Sequence, residues 1–233
     1  MQHDHPDAAG EATVVVIVLT GGASRRMGQH KPALEVAGRA MVERVVDAAR
    51  PRRTFVVGSD LAVPGDIETV ADDRPGGGPV AGLAAGLRHL DDLGVAPGGM
   101  TPSPIGLTPP DAAGAVPFDV VVIVLAGDLP FVTSGHLDRL VLALKREGAA
   151  AAVTADDDGR RNWLCAAWRL EALREQVAAL GDPAGQSMRR LAEGTVVTDV
   201  DHGGEAYDVD TPDELDQARR RAARGGSRSG SGR

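Results

Sequence analysis

Apolar positions along this chain follow two different rhythms. Val14–Leu19 and Val120–Leu125 are unbroken apolar runs, the pattern of strands covered on both faces. Shorter runs at Thr54–Val57, Ile67–Val70, Ala150–Thr154, Trp163–Trp168 and Thr195–Thr198 predict further strands. Between them the spacing turns helical. It predicts helices over Met41–Ala49 after the turn-forming Gly38, over Val80–Leu90 despite Gly82 and Gly86, and from an N-cap at Ser134 to Glu147. Glu171–Leu180, Ser187–Leu191 and Pro212–Ala222, with Pro212 in the first turn, complete the set. Strands alternating with helices predict a three-layer, Rossmann-like α/β fold with a mostly parallel mixed sheet.

Residues 1–12 read as a disordered leader, 13–223 as a single domain and 224–233 as a disordered basic tail. A Pro/Gly-rich stretch, 94–118, reads as a flexible surface loop within that domain. The run Val14–Leu19 recurs residue for residue as Val120–Leu125; the first leads into Thr20-Gly21-Gly22, the second into Ala126-Gly127-Asp128. Two buried parallel strands would then end in similar small-residue turns, one offering glycine and the other a carboxylate. Open α/β sheets bind ligands beyond the carboxyl ends of their strands. The echo also fits plain convergence of buried strands on Val-rich composition.

Charge narrows the classes of partner. The chain has 233 residues, 25 basic and 33 acidic, for a net charge of -8. Six arginines and no acid lie from Arg219 onward, which leaves 19 basic against 33 acidic residues, or -14, for the rest. That balance argues against broad binding to nucleic acid or an anionic membrane. The longest apolar runs are far shorter than the about 20 residues a spanning helix needs. The single Cys165 makes no internal disulfide, and the polar N-terminus is no signal peptide, so a reducing, cytoplasmic setting is expected. Cys165 reads as buried rather than nucleophilic, and His89, His136 and His202 show no ligand spacing. Trp163 and Trp168, five apart in one predicted strand, are expected on opposite faces.

The richest segment is Leu19-Thr20-Gly21-Gly22-Ala23-Ser24-Arg25-Arg26-Met27-Gly28-Gln29-His30-Lys31. A glycine pair after a buried strand lets backbone N–H groups approach a phosphate closely. Arg25, Arg26 and Lys31 add cations, an arginine as a fork and a lysine as a point charge. Lys31 is one of only two lysines in the chain. The spacing is neither the P-loop nor the dinucleotide fingerprint. Taken alone, the segment fits a structural turn as well as a phosphate site.

Here the chain resembles the MobA-like nucleotidyltransferases, and among them the molybdenum cofactor guanylyltransferases. Gly21-Gly22-x-x-x-Arg26-Met27-Gly28-x-x-Lys31 is similar to their signature. Three later segments match in order: Asp72 to Gly82, Ala126-Gly127-Asp128-Leu129-Pro130-Phe131, and Asp208-Val209-Asp210-Thr211-Pro212. Asp158–Arg169 also resembles a segment of some members. The likeness runs over about residues 14–218 and implies an NTP transferase fold with nucleotidyl transfer from GTP to molybdopterin cofactor, releasing pyrophosphate. It implies Leu19, Thr20, Gly21 and Gly22 against the nucleotide, with Gly78 in the later Gly-Pro segment. Arg26 and Lys31 would lie on the phosphates with Arg25 nearby, and Asp72 near the nucleotide, Asp73 being the other alignment. Asp128 would hold Mg²⁺. Asp210, with Asp208, would give a second metal contact or position the acceptor; equally, Asp210-Thr211-Pro212 would cap the last helix. Many relatives carry Asn at 208 and 210, Asp at 30 and Ala at 20. The resemblance further implies transient contact with cofactor-biosynthesis proteins or molybdoenzymes, and no nucleic acid or membrane partner. A CTP-using relative, a transferase with another phosphorylated acceptor and a non-catalytic nucleotide-binding protein remain the alternatives.

Overall fold

The structure is a computed structural model and describes residues 13–21, 31–58, 63–96, 99–100 and 120–226. In chain order the elements begin with β1 (Thr13–Leu19), a 3-10 turn (Lys31–Ala33), β2 (Glu35–Val36), β3 (Arg39–Ala40), α1 (Met41–Ala49), β4 (Arg53–Val57), β5 (Glu68–Val70) and α2 (Pro79–Asp92). They continue with β6 (Val95–Ala96), β7 (Gly99–Met100), β8 (Val120–Ala126), α3 (Ser134–Glu147), β9 (Ala151–Ala155), β10 (Arg161–Arg169), α4 (Leu170–Leu180), α5 (Met188–Leu191), β11 (Val197–Asp201) and α6 (Pro212–Gly226).

Seven strands form one sheet in the order β11-β9-β10-β8-β1-β4-β5. Only β10 runs antiparallel to its neighbours in it. The alternate residues of β1 and β8 face two different cores. Val15, Ile17, Val122 and Val124 pack with α2, α4 and α5; Val16, Val18, Val121, Ile123 and Leu125 pack with α1 and α3. A strand with a helix layer on each side has no solvent face, hence the unbroken apolar runs. Fully burying each such aliphatic side chain is worth about 1.5–3 kcal/mol.

The chain leaves β1 for β4 and β5 on one side, then returns to place β8 on the other. The strand order therefore reverses between β1 and β8, where open α/β sheets leave a crevice. There Leu19 lies opposite Ala126, and Gly127 N–H donates to the Leu19 carbonyl at 2.9 Å. The repeated runs are thus hydrogen-bonded neighbours, offset by one residue from the pairing that their identity suggests.

Several expectations need correction. Thr133, not Ser134, caps α3: its hydroxyl accepts from His136 N–H at 3.1 Å. The last strand begins at Val197 and runs to Asp201 rather than over Thr195–Thr198, and the last helix reaches Gly226. Within 94–118, the described residues contain the short β6–β7 pair. Trp163 and Trp168 pack on the same core, not on opposite faces. The register of β10 against β9 shifts between Asn162 and Ala166, and that bulge reverses the alternation. The hairpin β2–β3 escaped notice because two-residue strands leave no periodicity. Its turn places Ala37 and Gly38 at positive φ, 54° and 73°, the backbone that two-residue hairpins favour.

Candidate active site

The carboxyl ends of β1, β4, β5 and β8 meet at one edge of the sheet. Thr20 continues β1 and donates both its N–H, at 2.9 Å, and its hydroxyl, at 3.0 Å, to the Val57 carbonyl. Its side chain fits because both flanking positions are glycine. A Cβ on Gly58 would lie 2.3 Å from Thr20 Oγ1, and one on Gly127 2.9 Å from Thr20 Cγ2. The hydroxyl is therefore consumed inside the sheet. Beyond it, Gly21 faces Asp72, whose Oδ2 would be 3.3 Å from a Cβ at that position. Asp73 turns away to an ion pair with Arg88, so Asp72 is the acid at the glycine turn. Leu19 is buried beneath. Gly78 caps α2 at φ 86°, with Pro79 at the first helical position.

At the end of β8, Lys31 gathers two carboxylates from distant parts of the chain. Its ammonium is 2.5 Å from Asp128 Oδ2 and also contacts Asp210 Oδ1. The Lys31 and Asp128 side chains are 12% and 16% exposed, so water screens this pair little. Burial works against the Lys31 charge, yet Asp128 and then Asp210 outweigh it and raise its pKa. Burial lifts the Asp128 carboxyl above its usual range, against the pull of Lys31. The second oxygen of Asp128, Oδ1, is buried with no hydrogen-bond partner among the described residues. Asp208, although exposed, is raised too, by partial desolvation and then by repulsion from Asp210 and Asp128, with Lys31 opposing.

Asp208 and Asp210 share a face because Val209 between them is buried with Val36, Met41, Leu215 and Ala218. The helix-cap alternative for Asp210 falls to its neighbour. Thr211 Oγ1 accepts from Glu214 N–H at 3.3 Å, and Glu214 Oε2 accepts from Thr211 N–H at 2.7 Å. This reciprocal capping box leaves the Asp210 carboxylate on Lys31. Gly22, Arg25, Arg26 and His30 lie outside the described residues.

Beside Asp208 opens a cleft of about 610 Å³, lined among others by Pro79, Asn162, Trp163, Met188 and Tyr207, with Arg160, Arg161 and Arg189 around it. Sequence reasoning gave these residues no role. The usable signal was Asn162, a polar residue entering an apolar run: it accepts from Leu164 N–H at 3.0 Å and donates to the Ala206 carbonyl at 3.1 Å.

The profile of the MobA-like NTP transferase domain matches residues 16–199. The chain belongs to this family. A MobA-like member is a nucleotidyltransferase. The chain is 28% identical over 209 residues to a molybdenum cofactor guanylyltransferase of Rhodobacter capsulatus, covering 87% of this chain and 93% of that one. It is 33% identical over 114 residues to a phosphoenolpyruvate guanylyltransferase of Sphaerobacter thermophilus, covering 49% and 53%. The molybdopterin-guanine dinucleotide biosynthesis protein A of Archaeoglobus fulgidus shares the fold, with a TM-score of 0.63 at 21% identity over 90% of this chain and 99% of that one.

In this MobA-like transferase Cys165 and His89 pack within the fold. Burial pushes the Cys165 thiol up to about 12, so it carries no thiolate at neutral pH. His89 lies edge-on to Phe55 at 4.9 Å. Among the described residues no helix is long and apolar enough to cross a membrane. Nor do three metal-ligating side chains converge there. The edge offers instead two carboxylates sharing one ammonium.

Proposed function

We propose that this cytoplasmic transferase moves GMP from GTP to the terminal phosphate of molybdopterin cofactor. A phosphate oxygen of the acceptor attacks the α-phosphorus, the bond to the β-phosphate oxygen breaks, and pyrophosphate leaves. The observation that carries this reading is Lys31 with Asp128 and Asp210 at the strand-order reversal, where β8 ends beside β1. The name of the Rhodobacter capsulatus relative supports GTP and the acceptor.

The nucleophile is already an anion, so no strong base is needed; the work is positioning and charge neutralisation. Gly21, Gly22 and Asp72 would hold the nucleoside end, and Gly78 the opposite wall. Lys31, Arg26 and Arg25 would hold the triphosphate. Asp128 Oδ1, which has no hydrogen-bond partner among the described residues, fits a hard cation, which takes one or two carboxylates and completes its shell with waters and phosphate oxygens. Asp128 would hold Mg²⁺, with Asp210 beside it, and the ion would supply positive charge to the phosphates. The adjoining cleft suits the acceptor: Trp163 and Tyr207 offer flat surfaces for its ring system, and Arg160 and Arg189 offer charge for its phosphate.

The Sphaerobacter thermophilus relative favours a second reading, guanylyl transfer to a smaller phosphorylated acceptor. One assay separates the readings: pyrophosphate release with each of four nucleotides, with molybdopterin cofactor, with phosphoenolpyruvate and with no acceptor. Release with GTP and molybdopterin cofactor is expected. CTP preference, release with phosphoenolpyruvate alone, or GTP binding without release would each overturn the proposal. Lys31→Ala and Asp128→Ala should each cut turnover at least about tenfold, or ~1.4 kcal/mol.

A further inference from the structure

Two segments bring the carboxylates to Lys31. One is the turn after β8, which carries Asp128 and ends at Thr133. The other is the linker between β11 and α6, which carries Asp208 and Asp210. Glu205 joins them. One of its oxygens accepts from the Thr133 hydroxyl and the other from Arg139 Nη2. Its side chain is 16% exposed.

The surroundings of Glu205 are built to hold an anion. His136 is fully buried, and burial, with Arg139 and His202, keeps its pKa low against the pull of Glu205. Thr154 Oγ1 donates to the Cys165 carbonyl at 2.7 Å and lies 2.7 Å from His136 Nε2. His136 Nδ1 lies 3.2 Å from Glu205 Oε2 and 2.8 Å from Arg139 Nη2, which itself donates to Glu205. Burial works against the Glu205 charge, but the bonds from Thr133 and Arg139 hold its carboxyl below the usual range. Thr133 is placed in turn by capping α3. The same two segments also meet where Phe131 packs on Tyr207, ring centroids 6.1 Å apart, and through Lys31 at the site itself; Asn162 to the Ala206 carbonyl at 3.1 Å and Arg221 to the Gly204 carbonyl at 2.9 Å tie the linker to other elements.

We infer that Glu205 is a positioning residue for the transfer reaction: through Thr133 and Arg139 it sets where the Asp208–Asp210 segment stands relative to Asp128. The inference rests on the assignment of these carboxylates to the phosphate and metal site. Glu205 touches neither nucleotide nor acceptor in that arrangement. Losing it shifts one carboxylate carrier against the other and leaves the Gly21–Asp72 side intact.

The test uses the full chain and compares Glu205→Ala, Glu205→Gln and Asp128→Ala. Misplacement of a catalytic group by about 1 Å can cost up to ~100-fold. Glu205→Ala is expected to lower kcat at least about tenfold and to raise the Mg²⁺ concentration for half-maximal rate several-fold, roughly the scale of one misplaced contact. KM for GTP should stay within about twofold, an effect under ~0.5 kcal/mol. Glu205→Gln keeps the acceptor for Thr133 while losing the charge against Arg139, so it should restore part of kcat. It is isosteric and serves should Glu205→Ala fail to fold. A purely structural residue would move KM and kcat together with the melting temperature. Such a joint loss, or wild-type kcat and Mg²⁺ dependence in folded variants, would overturn the inference. Turnover retained by Asp128→Ala overturns the site assignment and the inference together. Turnover lost there but kept in both Glu205 variants overturns only the positioning role.

Discussion

At the residue scale, the most telling feature is the crowding of carboxylates around one ammonium. Asp128 and Asp210 share Lys31, while Asp208, exposed yet raised by partial desolvation and by its two acidic neighbours, has no such contact among the described residues. A carboxyl whose folded pKa lies above its unfolded value is least at home in the fold when ionised. Its penalty is complete above the folded pKa and vanishes as pH falls below the unfolded value of about 3.9. Asp208→Asn should therefore stabilise the free chain at neutral pH, and the gain should fade as pH drops toward 4. Urea melts of both proteins across that interval check this. An unchanged gain at every pH, or a lower midpoint at pH 7, would refute the electrostatic account. The same crowding explains why the sequence left Asp210 open between site and cap. The capping role was legible in Thr211 and Glu214, three apart, but nothing in one dimension shows Lys31 arriving from 179 positions away.

At the element scale, most of the fold was legible because strands covered on both faces write themselves as continuous apolar runs. The failures have local causes. A bulge near Asn162 reversed the face of Trp163, and Thr133 and Ser134 are both fit to cap a helix, so composition alone could not choose. Helix α2 shows a subtler case, since Gly82 and Gly86 look like defects in its pattern. A Cβ at Gly86 would stand 3.1 Å from two Ile17 atoms and 3.2 Å from Val57, whereas one at Gly82 would meet Leu19 no closer than 3.5 Å. Gly86 thus sits where α2 packs tightly on β1 and β4, and a Cβ there would press on Ile17 and Val57; at Gly82 it would make ordinary contact. Alanine in a helix interior gains about 1 kcal/mol over glycine, while overpacking a core costs about 1–3 kcal/mol. Gly82→Ala should raise the melting temperature by about 2–4 °C. Gly86→Ala should lower it. Thermal melts giving the reverse order would show that α2 sits on the sheet more loosely than its geometry states.

At the scale of the whole molecule, net charge and function stand in tension until the site is seen. Outside its Arg-rich end the chain carries -14, yet its family joins phosphorylated molecules. The sheet resolves this spatially, because the strand-order reversal places Lys31 and the acids at one edge. The segment with Arg25 and Arg26 leads directly into Lys31. A triphosphate alone would meet the two carboxylates of Asp128 and Asp210 there, and a metal alone would meet an ammonium already in contact with both. Each species should bind poorly by itself and well together, and binding to the folded form alone raises stability by RT ln(1 + [L]/Kd). At a hundredfold excess over Kd that is about 2.7 kcal/mol, or roughly 5–10 °C for a domain of this size. Thermal melts with GTP and Mg²⁺ together should show that shift. GTP with a chelator, Mg²⁺ alone, or CTP with Mg²⁺ should each give less than half of it. An equal shift from GTP with and without the metal would mean that the acids serve some purpose other than holding Mg²⁺. An equal shift with CTP would remove the basis for a guanine preference.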